Sequence, residues 1–451
     1  MSIRNVDFFG ILFEEYNYDH FVRNSPIVSV FCITYNHALY IRDCLDGFVK
    51  QETDFEYEVV IFDDASTDGT SDIIREYSKN YPNLIHAFIA KENSFKNPCR
   101  GELSKLLRKE CLKGKFVAFC EGDDFWTDDD KLQLQVSFLL SHPEYSLTIH
   151  NAVKLNCLSN SKSNMVDIES DRELDVRELI MQNTGCFPFC SFVGRKELFI
   201  DSFCLFTSVV QDWPLQLYAS HIGKVYYFSC AKSTYRYMIN NSWTSRTLLN
   251  KKSRLLNVFY LLEMLNRFNK LSEFKYETTI IEKQCILWAS IIDVLLLRVD
   301  ELSFLIKEIK KDNICFINID YYLSDLKTKL DLIANRNCDE FGSDLKKVYN
   351  FYCKKSVIIF CASTAGERML RILEKLSIDV DGFVDSDESK DGAVFCGKRV
   401  YGVSKLKDLN LRDYIIQVAS LDYDSQIVNR LQGIKNCNYI SAHVFYISYL
   451  K

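Results

Sequence analysis

The chain has 451 residues, of which 47% are hydrophobic and 26% are charged, a composition typical of a globular protein that can bury a large core. Its 55 basic and 61 acidic residues give a formal net charge of −6. This balance excludes a protein that binds nucleic acid through a strongly positive overall field, and the length predicts about three domains of about 150 residues each.

The N-terminus and the cysteines predict a cytoplasmic protein. Residues 1–25 contain no long apolar core followed by a cleavage site of small residues, so we expect no signal peptide. The most apolar helical run, 280–297, is interrupted by Glu282, Lys283 and Asp293, which favours a buried or partner-facing helix over a membrane span. The 17 cysteines include no CxxC pair, which is typical of reduced core residues rather than of a zinc site.

Two apolar runs, 27–33 and 57–62, are each followed by a polar turn and then by apolar residues at helical spacing. This repeated pattern predicts a parallel sheet flanked by helices, in which ligands bind beyond the carboxyl ends of the strands. Polar residues stand at both ends: Thr34, Tyr35 and Asn36 after the first run, and Asp63 and Asp64 after the second. Because Ser66, Thr67 or Asp68 can cap the second helix, we expect both aspartates to be free for a ligand.

A third apolar run, 116–120, stops at the acidic turn formed by Glu121, Gly122, Asp123 and Asp124. Carboxylates this close repel one another, and a divalent cation would relieve the repulsion. Oxygen ligands suit Mg²⁺ or Mn²⁺, and Gly122 permits a tight turn that aims the neighbouring carboxylates at one point. The turn is either a cation site that holds a diphosphate or an ordinary acidic turn, and the other two polar clusters favour the cation site.

Shorter signals follow this turn. Thr127 with Asp130 resembles a capping box for the next helix. The run 147–152 predicts a strand, and the runs 225–228 and 232–237 predict two short strands.

Several later residues have two interpretations. Asp212 precedes a tryptophan and a proline, so it is a general base beside an indole, the N-cap of a helix, or both. Arg236 can pair with phosphate oxygens or form a surface ion pair. Trp126, Trp213 and Trp243 are candidate stacking surfaces for a sugar or an acceptor, and core packing is the alternative.

The C-terminal part of the chain has a different character. Residues 251–353 contain almost no glycine and carry apolar residues at helical spacing, which predicts a helical linker or interaction region. A further strand–turn–helix unit begins at 356–361 and predicts a small Rossmann-like domain over 354–451. Of the three glycines that a dinucleotide-binding turn needs, only Gly366 is present, although Asp385 stands where a ribose-binding acid would. The sequence therefore argues against nucleotide binding by this domain.

Four blocks of the sequence, in this order, resemble the family 2 glycosyltransferases with the GT-A fold. They are VSVFCITYNH, VVIFDDASTDGTSDII, KFVAFCEGDDFW and QDWPLQLYASHIGKVYYFSCAKSTYRY. The resemblance implies an α/β protein with a GT-A nucleotide-sugar-binding domain, and the C-terminal unit resembles the Rossmann-like modules attached to some sugar-modifying and sugar-transferring enzymes. We therefore expect an N-terminal extension (1–25), the GT-A domain (26–250), the helical region (251–353) and the Rossmann-like domain (354–451).

The resemblance also implies a donor pocket. Asp63 or Asp64 would contact the base or the ribose of a nucleotide-sugar, and Thr34, Tyr35 and Asn36 would line the same pocket.

The acidic turn would stand as the family's DxD motif. Asp123 and Glu121 would be the metal ligands, with Asp124 beside them in the donor pocket, although a glutamate in place of the first aspartate departs from the family pattern. Asp212 falls where the family places its catalytic base. Arg236 and Trp243 would close over the diphosphate or the acceptor.

We therefore predict an inverting hexosyl- or N-acetylhexosaminyl-transferase that uses Mn²⁺ or Mg²⁺. Its donor would be a nucleotide-diphosphate sugar, with uridine suggested by the family alone, and its acceptor a hydroxyl of a surface glycan or a lipid-linked glycan. The alternatives are a non-catalytic nucleotide-sugar-binding or scaffold protein and a sugar nucleotidyltransferase, which would need a Gly-rich basic loop that the first strand lacks. Peripheral contact with the inner membrane face and homo-oligomer formation through the helical region are left open.

Overall fold

A computed structural model describes most of the chain. The described residues are 2–21, 25–94, 97, 100–182, 186–206, 212–239, 250–295, 308, 321–322, 352, 355–409, 411–420, 423–434, 437–442 and 445. The chain divides into two compact units, of which the first comprises Met1–Leu249 and Asn266–Tyr276 and the second comprises Asn250–Leu265 and Glu277–Lys451. The four-part division expected from the sequence stays a prediction.

The first unit is built on one mixed sheet. Its described strands are β1 (Ile3–Phe8), β2 (Ile11–Tyr16), β3 (Val28–Thr34), β4 (Tyr57–Asp63), β5 (Ile85–Ala90), β6 (Phe116–Glu121), β7 (Phe125–Trp126), β8 (Tyr145–Asn156), β9 (Ser161–Asn164), β10 (Arg172–Glu173), β11 (Val193–Arg195) and β12 (Lys224–Tyr237). Its described helices are α1 (Tyr18–Phe21), α2 (Ile41–Val49), α3 (Thr70–Asn80), α4 (Arg100–Cys111), α5 (Lys131–Ser141), α6 (Val176–Met181), α7 (Lys196–Asp201) and α8 (Asp212–Ile222).

The sheet order explains where the polar clusters meet. The strands follow one another as β1-β2-β5-β4-β3-β6-β11-β8-β12-β10. Within this sheet β5, β4, β3 and β6 run parallel. The polar residues that end β4, β3 and β6 therefore lie on neighbouring strands at one edge. The predicted strands and the helices α2 and α3 are confirmed, and β3, β4 and β6 are buried almost throughout because they lie in the middle of the sheet.

Two details of the strands differ from the prediction. Residues 1–25, expected as an extension, supply the antiparallel hairpin β1–β2, and β2 pairs with β5. The two short strands expected near residue 230 are one strand, β12, whose register against β8 shifts at irregularities after Phe228 and Ala231.

The predicted capping box at α5 is wrong. Thr127 donates to Asp128 over 2.7 Å, and the helix begins after Asp130, which makes no side-chain cap bond. The reason is that the Asp130 carboxylate accepts a hydrogen bond from Lys232 over 2.6 Å.

The second unit contains helices and a smaller sheet. Its described elements, with those of the helical region, are α9 (Lys251–Leu271), α10 (Glu277–Leu295), β13 (Ser356–Phe360), α11 (Thr364–Lys375), β14 (Val380–Asp385), β15 (Val394–Phe395), β16 (Lys398–Gly402), β17 (Tyr414–Val418), α12 (Asp424–Gln432) and β18 (Tyr439–Ile440). The order β15-β16-β14-β13-β17-β18, with parallel pairing from β16 to β18, is the Rossmann-like arrangement that the sequence predicted. Among the described helices, none combines the length and the hydrophobicity needed to cross a bilayer.

Asp385, which stands where a ribose-binding acid would, is hydrogen-bonded within the protein. Asp385 accepts hydrogen bonds from the Ala362 amide (2.9 Å), the Asp387 amide (2.9 Å) and Lys390 (2.9 Å). Its carboxylate therefore holds the turn between β13 and α11, and the expectation against nucleotide binding stays a prediction.

Candidate active site

The loops after β3 and β4 form one hydrogen-bonded surface. The Asn36 amide donates to the Ser66 hydroxyl (2.8 Å), and its side-chain Oδ1 accepts from the Thr67 amide (2.8 Å). The His37 amide donates to the Thr70 hydroxyl over 2.8 Å. Asn36 has φ +57°, a left-handed conformation that asparagine tolerates better than most residues. The surface is therefore fixed by backbone and side chains of both loops.

The two aspartates after β4 have different surroundings. Asp63 is buried, and its carboxylate accepts hydrogen bonds from the Ser66 and Ser71 hydroxyls. Asp64 is partly exposed, and its two oxygens accept from the Ser94 amide (2.7 Å) and from the Asn93 side chain (3.2 Å). The expectation that both aspartates are free is therefore wrong: the partners of Asp63 hold the loop together, and Asp64 has two partners although part of its surface is exposed. Burial raises the pKa of Asp63, and its two hydroxyl partners oppose that rise.

The acidic turn lies directly against the end of β3. The Gly122 amide donates to the Ile33 carbonyl over 3.0 Å. A Cβ atom on Gly122 would lie 2.7 Å from Thr34 Oγ1 and 2.9 Å from Ile41 Cδ1. Glycine is therefore required here by close approach, and the sequence argument from a tight turn identified the right residue for a related reason.

The turn brings three carboxylates together. One ligand oxygen from each of Glu121, Asp123 and Asp124 lies within 4.8 Å of the others, with Glu121 and Asp123 half-buried and Asp124 buried. Burial, and then the charges of Asp123 and Asp212, raises the pKa of Glu121 to about 8. Burial, and then the charge of Asp123, raises the pKa of Asp124 well above its ordinary value. A donor set of several carboxylates that oppose one another's ionisation fits a divalent cation such as Mn²⁺ or Mg²⁺.

Arg236 braces this turn. Its backbone amide donates to Asp124 Oδ1 (2.8 Å), and its Nη1 donates to the Asp123 carbonyl (2.7 Å). Its Nη2 pairs with the Asp43 carboxylate on α2, and the guanidinium lies 4.4 Å from the centre of the Phe125 ring. The side chain of Arg236 is only 7% exposed. The prediction that it closes over a diphosphate is therefore corrected, because the structure assigns its hydrogen bonds to the protein.

Asp212 is the first residue of α8. Its Oδ1 accepts from the Trp213 amide over 2.8 Å, so it lies inside the first turn of the helix, whereas the N-cap interpretation requires a residue before the helix that accepts from an amide two or three residues further on. Burial raises the pKa of Asp212 to about 6, and its negative charge contributes to the raised pKa of Glu121. A carboxylate whose pKa is raised is a stronger base than an ordinary aspartate, and the role of Asp212 as general base stays a prediction.

Trp126 and Trp213 are not sugar platforms in this structure. Trp126 and Trp213 are buried, and their indole nitrogens donate to the Cys190 carbonyl (3.0 Å) and to the Leu179 carbonyl (2.7 Å). Both stacking predictions are corrected, since a buried ring offers no free face. Trp243 lies outside the described residues, and Tyr35 is exposed beside the site.

The sequence analysis did not predict the contacts of His37 and Thr34 at this site. His37 Nε2 lies 3.8 Å from Asp123 Oδ2. Thr34 Oγ1 and His37 Nδ1 are buried and have no hydrogen-bond partner among the described residues. His37 follows the predicted cluster at 34–36, so its position one residue further along the loop was the available signal.

Comparisons with known proteins find similarity over the first part of the chain. The model of glycosyl transferase family 2 matches residues 29–203. An uncharacterized protein of Mycobacterium tuberculosis is 32% identical over 218 residues, which cover 48% of this chain and 61% of that protein. Chondroitin synthase of Escherichia coli is 26% identical over 202 residues, covering 45% of this chain and 28% of that protein.

The chain therefore spans less than two thirds of the length of these relatives. Among solved structures, residues 1–349 of S. aureus TarS in complex with UDP-GlcNAc align with a TM-score of 0.38 and 19% identity, covering 59% of this chain and 83% of that chain. The matched residues include β3, β4, β6 and the acidic turn, whereas Asp212 and Arg236 lie beyond them. The family match therefore shows that residues 29–203, which belong to the mixed α/β sheet of the first unit, are similar to glycosyl transferase family 2.

Proposed function

We propose that the chain transfers a sugar, with inversion at the anomeric carbon, from a nucleotide-diphosphate donor to a hydroxyl of a glycan acceptor. The observation that carries this proposal is the meeting of the Glu121, Asp123 and Asp124 carboxylates at the end of β6, within the residues that are similar to glycosyl transferase family 2. Relatives named for chondroitin synthesis and for poly(ribitol-phosphate) glucosylation favour a polymeric surface glycan as acceptor. A UDP-linked hexose or N-acetylhexosamine is the donor that we propose to test first.

The donor would lie on the surface that the two loops form. Asp64 is partly exposed there and would accept hydrogen bonds from the base or the ribose, while Tyr35 and Asn36 would line the same side. Asp123 and Glu121 would hold a divalent cation that offsets the charge developing on the leaving diphosphate. Arg236 would act on the donor indirectly, because it fixes the backbone of Asp123.

Asp212 would act on the acceptor. As the acceptor oxygen bonds to the anomeric carbon, the bond from that carbon to the diphosphate oxygen breaks, and the nucleotide diphosphate leaves with the electron pair. The hydroxyl proton passes to the Asp212 carboxylate. A pKa raised by burial to about 6 leaves this carboxylate ionised at neutral pH and a stronger base than an exposed aspartate.

The test uses the full chain and a panel of nucleotide-sugars, each with Mn²⁺, Mg²⁺ or a chelator. A donor that binds the folded state raises the melting temperature by mass action, and nucleotide diphosphate release, with water or a glycan as acceptor, reports transfer. We expect a cation-dependent shift with one donor. Asp212→Asn should keep this shift and lose release, whereas Asp201→Asn, at the exposed end of α7, should change neither.

The outcomes separate the alternatives. Release by Asp212→Asn at the wild-type rate would show that another group is the base. A donor-dependent shift without release from any donor would favour a non-catalytic binding protein. Pyrophosphate release from a nucleoside triphosphate would favour a nucleotidyltransferase instead.

A further inference from the structure

His37 is held in place by its backbone. Its amide donates to the Thr70 hydroxyl over 2.8 Å, and its carbonyl accepts from the amides of Tyr40 (2.9 Å) and Ile41 (2.8 Å). With both backbone groups engaged at the start of α2, the imidazole is directed by the loop and not by a side-chain partner. It points at the acidic turn.

His37 and Asp123 are close enough to share one cation but too far apart for a direct hydrogen bond. His37 Nε2 lies 3.8 Å from Asp123 Oδ2, and both side chains are 20% exposed. This separation is too long for a hydrogen bond. Two atoms that each lie about 2.1 Å from one octahedral cation are about 3.0 Å apart when adjacent and about 4.2 Å apart when opposite, so one cation can span the gap.

The surroundings of His37 Nδ1 leave the Nε2 lone pair available to bind a cation. Nδ1 is enclosed without a hydrogen-bond partner among the described residues, so no neighbouring donor forces the ring proton onto Nε2. With the proton on Nδ1, the Nε2 lone pair faces the carboxylates.

A buried hydroxyl beside the same turn points independently to a bound group. Thr34 is 4% exposed, and its Oγ1 has no hydrogen-bond partner in the described structure. It lies 2.7 Å from the position that a Cβ on Gly122 would take. A buried hydroxyl without a partner is costly, and a cation or its bound water at the turn would satisfy it.

We propose that His37 Nε2 is a ligand of the cation that Asp123 and Glu121 hold, so that the site has one nitrogen ligand besides its carboxylates. This inference rests on the cation in the proposed function. Mn²⁺ and Mg²⁺ both suit carboxylate ligands, but Mn²⁺ is a transition-metal ion that also accepts an imidazole nitrogen, whereas Mg²⁺ is held by oxygen ligands. His37 therefore makes the site select Mn²⁺ over Mg²⁺.

The test adds Mn²⁺ alone to the full chain and measures electron spin echo envelope modulation, which detects a coordinated imidazole nitrogen. We expect a ¹⁴N coupling in the wild type that disappears on ¹⁵N-labelling of histidine and in His37→Ala. Calorimetry should show that His37→Ala weakens Mn²⁺ binding by about 10-fold or more, in the range seen when a ligand's supporting groups are removed, and weakens Mg²⁺ binding less. The control is His221→Ala, since His221 is exposed on α8.

Failure of this inference and failure of the proposed site are distinguishable. Mn²⁺ that binds wild type and is lost in Asp123→Asn, but shows no nitrogen coupling, would leave the carboxylate site standing and overturn the role of His37. A coupling that persists in folded His37→Ala would also overturn it. Wild type that binds no Mn²⁺ would overturn both the cation of the proposed function and this inference. The wild-type spectrum is decisive even where the variant fails to fold.

Discussion

Gly122→Ala should damage both the stability and the cation site of the first unit. An added Cβ would lie 2.7 and 2.8 Å from Thr34 Oγ1 and Cβ and 2.9 Å from Ile41 Cδ1, and all three distances are shorter than real contacts. Gly122 is not among the residues with positive φ, so the cost comes from crowding alone. Overpacking of this kind costs about 1–3 kcal/mol.

Scanning calorimetry measures the loss of stability as a fall in the melting temperature. At about 2–4 °C per kcal/mol for a unit of this size, we expect the melting transition of the first unit to fall by about 2–12 °C. Mn²⁺ affinity should fall as well, because the turn must move away from β3. The matched control is Gly101→Ala on α4, where an added Cβ meets nothing within 4 Å and should stabilise the helix by up to about 1 kcal/mol.

The reasoning fails if Gly122→Ala melts at the wild-type temperature and binds Mn²⁺ with wild-type affinity. That result would mean that β3 and the turn yield freely at their contact. A fall in both variants alike would point to a general sensitivity of the fold and away from the close approach at Gly122.

Three further predictions follow from the contacts of the site. Asp43→Asn and Arg236→Lys should each lower Mn²⁺ affinity measured by calorimetry, because both weaken the contacts by which Arg236 holds the acidic turn. Asp43→Asn should lower the stability by only about 1 kcal/mol, since the Asp43 side chain is 58% exposed. For Asp212, the pKa is raised from 3.8 to about 6, so its contribution to stability is full below about pH 4 and is lost as the pH rises through about 6; Asp212→Asn should melt higher than wild type at pH 8 and equally at pH 4. Asp63→Ala should cost about 1–3 kcal/mol by leaving the buried Ser71 hydroxyl and the half-buried Ser66 hydroxyl without their acceptor, whereas Asp64→Ala should mainly weaken binding of the nucleotide-sugar.

Each of these predictions has its own control or contrary result. Arg42→Gln breaks an exposed pair with Glu76 beside Asp43 on the same helix and should leave Mn²⁺ affinity unchanged; an equal loss there would mean that general charge on α2 is responsible. Melting curves of wild type and Asp212→Asn that run parallel from pH 4 to pH 8 would show that burial does not perturb the carboxylate. If Asp64→Ala proved as unstable as Asp63→Ala, the distinction between a structural and a binding aspartate would be lost.

The sequence was sufficient where function depends on strand order. Apolar runs of β type mark β3, β4 and β6, and a parallel sheet necessarily gathers the polar residues at their carboxyl ends. It was insufficient where a contact joins distant parts of the chain. The partner of Arg236 is Asp43, 193 residues away, and no local pattern distinguishes an arginine that grips a diphosphate from one that grips a turn.

The sequence was also insufficient to predict which side chains of the site are buried. Trp126 and Trp213 carry the residue type that stacks on sugars, but core packing uses the same type, and only the surrounding elements decide between them. The same holds for Asp63, whose hydroxyl partners come from its own loop and helix. The predicted polar clusters therefore come together at one edge of the sheet, while Trp126, Trp213 and Asp63 are engaged inside the protein.

The N-terminal hairpin has a practical consequence for anyone who isolates the family 2 domain. The family match begins at residue 29, but β2 pairs with β5 along Phe13 to Tyr16, and Glu15 meets His86 on β5 over 2.8 Å. A fragment cut at the family boundary would leave β5 as an open, apolar edge that invites pairing with other chains. Such a truncation should aggregate on expression, and a fragment that stays monomeric should begin before Ile3.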